Sequence, residues 1–397
     1  MPRGWSRPRA LKAAAGVVAL LLTPPPGARA WGSVEHYIAV AEDYREGRLT
    51  QPRQALSQWS LLELDDVVRR FRDRGRTQVQ GVIRQLELVR NQRAPLATSW
   101  CPSAEDIGSG TAEAAILLHT DAVISALRAG SPVEAEHNLR HAEDLLESVD
   151  AWLAALREAP SLPTGCEIRE GVARRDWYLT MTLVLIRVGR PAAADALLHR
   201  GLRGSPTDEE TTFVAGVVKE ALATLHTQLG QRKEASGALR EAEKLYRVAL
   251  AVEPGRAEAR LRLGRVLCET GRCNDAEPQL LEALAEAPDA GSRYLAALFL
   301  GRARESRGRL DEAIAAYRRA VSQRPHAQAA RLALAHALQH AGDGAGARGL
   351  IREVLADPWH DLEQAEAADP WSLYDLGPSV RADQLLAGMR ARVRSRQ

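Results

Sequence analysis

The sequence has almost no lysine: of 53 basic residues only Lys12, Lys219, Lys233 and Lys244 are lysine, and the remainder are arginine. Acidic residues number 51 and are interleaved with the basic ones, so the chain carries a formal net charge of only +2. That balance removes the one-sided positive field on which nucleic-acid binding depends, and no nucleic-acid partner is expected. Aromatic residues are scarce at 5%; with abundant Ala, Leu, Glu and Arg, this favours helix over sheet. Beyond residue 30 no stretch is long and apolar enough to span a bilayer, which takes about 20 residues. There is no Cys-x-x-Cys pair and no histidine at finger spacing, which excludes the common structural zinc modules. There is no Gly-x-Ser-x-Gly elbow either, which excludes that class of hydrolase.

Apolar residues make up 45% of the chain and charged residues 26%, enough of the former to build a core and too few of the latter for global disorder. The first thirty residues follow a different grammar. Arg3, Arg7, Arg9 and Lys12 form a basic start, Ala13 to Leu22 is an uninterrupted apolar run, and Thr23 to Pro26 breaks it before Ala28-Arg29-Ala30. This is the layout of a secretory signal peptide cleaved after Ala30, with an uncleaved anchor as the alternative, and it predicts an extracytoplasmic protein, periplasmic or secreted. Four cysteines fit such an oxidising compartment. Cys268 and Cys273 bracket Gly271 across one tight turn and are expected to pair. Cys101 and Cys166 remain as the second disulfide.

A longer-range pattern then emerges. A glycine is followed five residues later by an alanine at Gly130 and Ala135, Gly189 and Ala194, Gly230 and Ala235, Gly271 and Ala276, Gly308 and Ala313, and Gly342 and Ala347. Each pair sits between two apolar helical stretches, so the glycine can end one helix and the small alanine can let the next pack close against it. Around 216–254 a second register through Gly237, Ala242, Tyr246 and Pro254 also fits. The Gly230 register, with a lengthened second helix, is preferred because the other demands an overlong first helix. Outward from each pair the unit repeats: Leu263-Gly264, Leu267, Leu280, Ala283 and Pro288, then Leu300-Gly301, Tyr317, Ala320 and Pro325. Gly308-Arg-Leu-Asp-Glu-Ala313 followed by Tyr317 and Ala320 closely resembles the turn and second helix of a tetratricopeptide repeat, and the resemblance runs from about 116 to 358.

The resemblance implies an all-α fold, a right-handed superhelical solenoid of antiparallel helix pairs in which each pair buries its apolar face against its neighbours. The expected organisation is a signal peptide at 1–30, a helical N-terminal region and linker at 31–110, the repeat array at 111–358, and a capping segment at 359–397. His36 to Glu46, Leu61 to Arg72 and Val79 to Arg90 read as separate amphipathic helices in the N-terminal region. The two Trp of Asp357-Pro358-Trp359 and Asp369-Pro370-Trp371 are expected to pack on the last repeat. Arg381 to Arg394 reads as a further amphipathic helix.

In proteins of this kind ligands lie along the concave face, lined by the first helix of each unit. Mapped onto this chain, that face comprises Leu261, Arg265, Glu269, Leu298, Arg302, Glu305, Leu332, His336 and Gln339. Arg265 and Arg302 recur at one place in successive units and would suit a carboxylate. Gly344-Ala345-Gly346-Ala347-Arg348-Gly349 matches a dinucleotide fingerprint by letter but lacks the preceding strand. His137 and His141, like His336 and His340, stand four apart on predicted helices, but no carboxylate lies between them to complete a metalloprotease motif. No catalytic residue, metal or cofactor is assigned. The sequence thus reads as a non-enzymatic scaffold for a protein or peptide partner. Its alternatives are an accessory or enzymatic protein with a site in the N-terminal region, or a structural protein that self-associates through its C-terminal segment.

Overall fold

The computed structural model describes residues 33–91, 101–159, 162, 166, 171–201, 208–356, 369–374 and 379–394. The expected signal peptide and Trp359 lie outside them. The described residues are helical and contain no strand. They divide into two compact units, one formed by residues 1–172 with 390–397, the other by residues 173–389.

The first unit contains α1 (Val34–Arg45), α2 (Pro52–Leu56), α3 (Leu61–Asn91), α4 (Ser109–Arg128) and α5 (Pro132–Arg157). The two helices expected over 61–72 and 79–90 are one continuous helix, α3. Gly75 does not break it. It serves instead as the place where the Trp152 ring of α5 comes in, because a Cβ there would run into that ring. Tyr37, Val67, Phe71, Ile116 and Leu145 are buried in this unit, with the Tyr37 and Phe71 rings edge to face at 5.3 Å. Cys101 is bonded to Cys166.

The second unit is a succession of helix pairs: α6 (Arg174–Arg187) with α7 (Pro191–Gly201), α8 (Glu209–Gln228) with α9 (Arg232–Val252), α10 (Ala257–Glu269) with α11 (Cys273–Glu286), α12 (Ala290–Glu305) with α13 (Leu310–Gln323), and α14 (Gln328–His340) with α15 (Gly344–Ala356). Neighbouring pairs pack on one another in chain order, the arrangement of a solenoid. The segment α16 (Pro370–Tyr374) and the start of α17 (Ser379–Arg394) complete it.

The turn chemistry follows from the glycine series. All six turn glycines have φ between 70° and 90°, where an L side chain costs about 1–2 kcal/mol. At Gly308 the geometry closes the helix: Gly308 N donates to Glu305 O at 2.9 Å and Arg309 N to Arg304 O at 3.0 Å, satisfying carbonyls that the helix end would leave open. The alanine five residues on is buried in every case. Gly230 has φ +73°, and α9 runs on to Val252, so the Gly230 register and the lengthened second helix are those of the structure. Cys268 and Cys273 are bonded across the Gly271 turn, with Cα atoms 4.1 Å apart.

In four of these pairs, α14–α15 excepted, a second glycine sets the distance between helices. A Cβ at Gly301 would strike the Tyr317 ring, and one at Gly264 would strike Leu280. The glycine and the large residue that fills its notch are one packing unit, which is why both recur in the sequence.

Candidate functional site

Glu220 lies on α8, seven residues after Phe213 and three after Val217, on the helix face that both of these bury. A carboxylate there has left water and needs partners. Arg262 Nη1 of α10 reaches its Oε2 at 3.0 Å and Arg265 Nη1 its Oε1 at 2.9 Å. Tyr246 of α9 donates its hydroxyl to Glu220 at 2.7 Å, and so does Tyr374 of α16. Burial pushes the Glu220 carboxyl upward, but the two guanidinium groups and the tyrosine hydroxyls outweigh it and hold the group below its ordinary value. Burial, and then the Glu220 charge, push the Tyr374 hydroxyl well above its ordinary value, so it stays protonated and donates.

The arginines also serve as an aromatic platform. Arg262 Cζ lies 4.4 Å from the Tyr374 ring centre, and Arg265 Cζ lies 4.6 Å from Tyr374 and 5.3 Å from Trp371. Such contacts gain strength when desolvated. Trp371 and Tyr374 stack at 5.9 Å, and both meet the edge of Phe299 on α12, at 5.6 and 5.2 Å. Only about 10 Å³ of space is left against Glu220, Arg262, Arg265 and Tyr374, roughly one water probe.

Asp369 fixes the other end of the segment. Tyr294 donates its hydroxyl to Oδ1 at 3.0 Å, and Ala329 N donates to Oδ2 at 2.9 Å. Ala327, at the N-cap of α14, offers no side-chain cap of its own. Asp369 therefore caps α14 from 40 residues away, where an anion also meets the positive end of the helix. Trp371 N closes onto Asp369 Oδ1 at 3.0 Å. Further along, Arg381 pairs with Glu210 at 3.0 Å.

The expected concave-face residues therefore have unequal surroundings. Leu261 and Leu298 are buried. Arg265 is buried too, bound to Glu220 and, at 3.0 Å, to Glu269. Arg302, one repeat later, is exposed, as are Leu332, His336 and Gln339. Glu305 accepts from Tyr317 at 2.6 Å and contacts His336 Nδ1 at 2.8 Å. The structure thus brings together Arg265 with Glu269, and Glu305 with His336, but not the two arginines on one ligand. No sequence pattern singles out Glu220 or Tyr374, and Asp369 stands out only as part of the repeated Asp-Pro-Trp motif. A lone acid on the apolar face of a helix was the available signal for the first, while Tyr374 is 154 residues away and no period points to it.

Two groups among the described residues have donor sets a metal could use, Asp65 with His137 and His141, and Glu305 with His336 and His340. Each histidine pair acquires its carboxylate from another helix, not from the residues between the two histidines. Beside the first group, His119 is fully ordered: Tyr37 donates to Nε2 at 2.7 Å, Nδ1 donates to Asn138 Oδ1 at 2.7 Å, and Asn138 Nδ2 donates to Glu134 O at 2.9 Å. Burial pushes His119 down to about 4.

The family model for the tetratricopeptide repeat matches residues 234–298 and 306–368, about a third of the chain. Helix pairs α10–α11 and α14–α15 lie within these stretches, and α12–α13 bridges them. Among solved structures, the chain is similar to MamA from residue 41 to its end of Desulfovibrio magneticus RS-1, at 24% identity, with 46% of this chain and 93% of that one covered and a TM-score of 0.37. It is also similar to PilW, titled a widely conserved type IV pilus biogenesis factor, at 20% identity, with 54% and 92% covered and a TM-score of 0.38. No curated protein sequence matches the chain.

Proposed function

We propose that the protein is an exported, non-enzymatic scaffold that holds a peptide segment of a partner protein against the first helices of its repeat pairs. One observation carries this reading: the first helices α8, α10, α12 and α14 already hold a short segment, Asp369 to Tyr374 of the chain itself. The grip is made from features a foreign segment could also supply: a carboxylate at the N-terminus of α14, two aromatic rings over paired arginines, and a hydroxyl on a buried carboxylate. The partner segment is accordingly one that presents an acidic residue followed by two aromatic residues about one helical turn apart. Export rests on the signal-peptide pattern at 1–30, and two disulfides suit an oxidising compartment.

A labelled peptide copying residues 366–377 tests the proposal, titrated against a Trp371→Ala/Tyr374→Ala variant whose own segment is weakened. Saturable binding is expected, abolished when Arg265→Glu is added. Absence of saturable binding, or binding indifferent to Arg265→Glu, rejects the reading.

A further inference from the structure

The first unit holds a cluster that peptide binding in the second unit does not use. His137 and His141 leave the same face of α5 one turn apart, and both are buried. Their Nε2 atoms face each other at 3.0 Å. Asp65 of α3 places Oδ1 3.2 Å from His141 Nε2 and 3.8 Å from His137 Nδ1. One donor atom from each of the three lies within 4.8 Å of the others.

Hydrogen bonding alone does not account for this convergence. His141 Nε2 carries at most one proton in any state, and a single N–H cannot point squarely at both the His137 nitrogen and the Asp65 oxygen. Whichever it favours, the other contact is left misaligned or sets lone pair against lone pair. A cation among the three satisfies all of them. Two of the separations already suit one: ligand atoms about 2.0–2.1 Å from a zinc ion stand roughly 3.0–3.4 Å apart when they are neighbours in its shell, as His137 Nε2 with His141 Nε2 and His141 Nε2 with Asp65 Oδ1 do, and the third pair of donor atoms lies within 4.8 Å.

We propose that His137, His141 and Asp65 form a binding site for a divalent transition-metal ion, zinc by the chemistry of two imidazoles and one carboxylate. Three protein ligands leave a further coordination position. His137 also lines a cavity of about 790 Å³ shared with Leu56, Trp59, Leu64 and Asn138. Trp59 is only 5% exposed, and its indole N–H has no hydrogen-bond partner among the described residues. A small anion or an acidic side chain that enters this cavity would lie against His137 and is placed to complete the metal shell. The second three-residue group differs in kind: His336 is 60% exposed, and Glu305 is already engaged by Tyr317.

The test uses the full chain, stripped with a chelator and titrated with zinc chloride by calorimetry, with cobalt(II) absorption as a spectroscopic probe of the ligands. One zinc per chain is expected, with micromolar or tighter affinity. Asp65 is half exposed, so Asp65→Asn should leave the circular dichroism unchanged while weakening zinc at least about 10-fold, on the scale of losing a metal-site contact. His141→Ala should abolish the cobalt spectrum. Since that ring is buried and its loss could disturb folding, Asp65→Asn is the deciding variant. His336→Ala/His340→Ala should leave the tight site intact. Zinc affinity unchanged by Asp65→Asn, lost instead in the His336/His340 variant, or absent from the wild type overturns the assignment.

Discussion

Arg265 and Arg302 each follow the small glycine of a first helix, one repeat apart, and the chain treats them in opposite ways. Arg265 is buried, bridges Glu220 and Glu269, and lies under two aromatic rings. Arg302 is exposed, and the nearby Glu305 is taken by Tyr317 and His336. Both helices use the same glycine notch and the same kind of turn. The difference comes from what covers them: residues 369–374 reach the first position and not the second. A repeat therefore sets where a side chain stands, and a non-repeating segment decides whether it faces water or a ligand.

Removing the acid at the centre of the covered position should break the comparison most strongly. Glu220→Ala leaves two buried guanidinium groups without their shared carboxylate, a loss of about 3–5 kcal/mol in chemical denaturation. Protonating Glu220 instead of deleting it should act in the same direction. Its folded-state value is depressed, so its contribution is complete above the ordinary carboxylate value of about 4.3 and is lost as pH falls through the lower, folded value. Near-ultraviolet circular dichroism from Trp371 should accordingly hold at pH 5 and decline only well into the acid range.

Gly301→Ala attacks what the two positions have in common, since the added Cβ meets the Tyr317 ring. Overpacking of this sort costs about 1–3 kcal/mol, seen as a lower thermal midpoint without loss of the Glu220 cluster. Tyr374→Phe keeps the ring over Arg262 and Arg265 and removes one hydrogen bond to a charged acceptor, about 1.5 kcal/mol, measurable as faster amide exchange in residues 257–269. Arg302→Ala, at the uncovered position, should leave both the midpoint and that exchange unchanged.

Much of this architecture was legible from residue order alone. Gly130 to Gly342 marked every turn of the helix pairs because a left-handed backbone strongly favours glycine, and the alanine five residues on is buried for the steric reason the spacing implied. Cys268 and Cys273 could be paired because one turn separates them. What stayed hidden depends on contacts with no period. The two helices expected over 61–72 and 79–90 are one, and the Gly75 between them is there for Trp152, which lies on another helix. Asp65 stands 72 residues before His137, so a histidine pair that seemed to lack a carboxylate has one in space. Trp371 was expected on the last repeat as a cap; it meets Phe299 of the pair before it. Nothing local in Asp369-Pro370-Trp371 shows that its aspartate would cap a helix beginning at Gln328.

The central claim, that the first helices hold an acidic and aromatic segment exchangeable for one supplied in trans, is tested most directly by hydrogen exchange on residues 257–269 and 290–305. Wild type should exchange slowly there, Trp371→Ala/Tyr374→Ala should exchange faster, and the peptide of residues 366–377 should restore protection to the variant. Equal exchange in wild type and variant, or no recovery at saturating peptide, would contradict it.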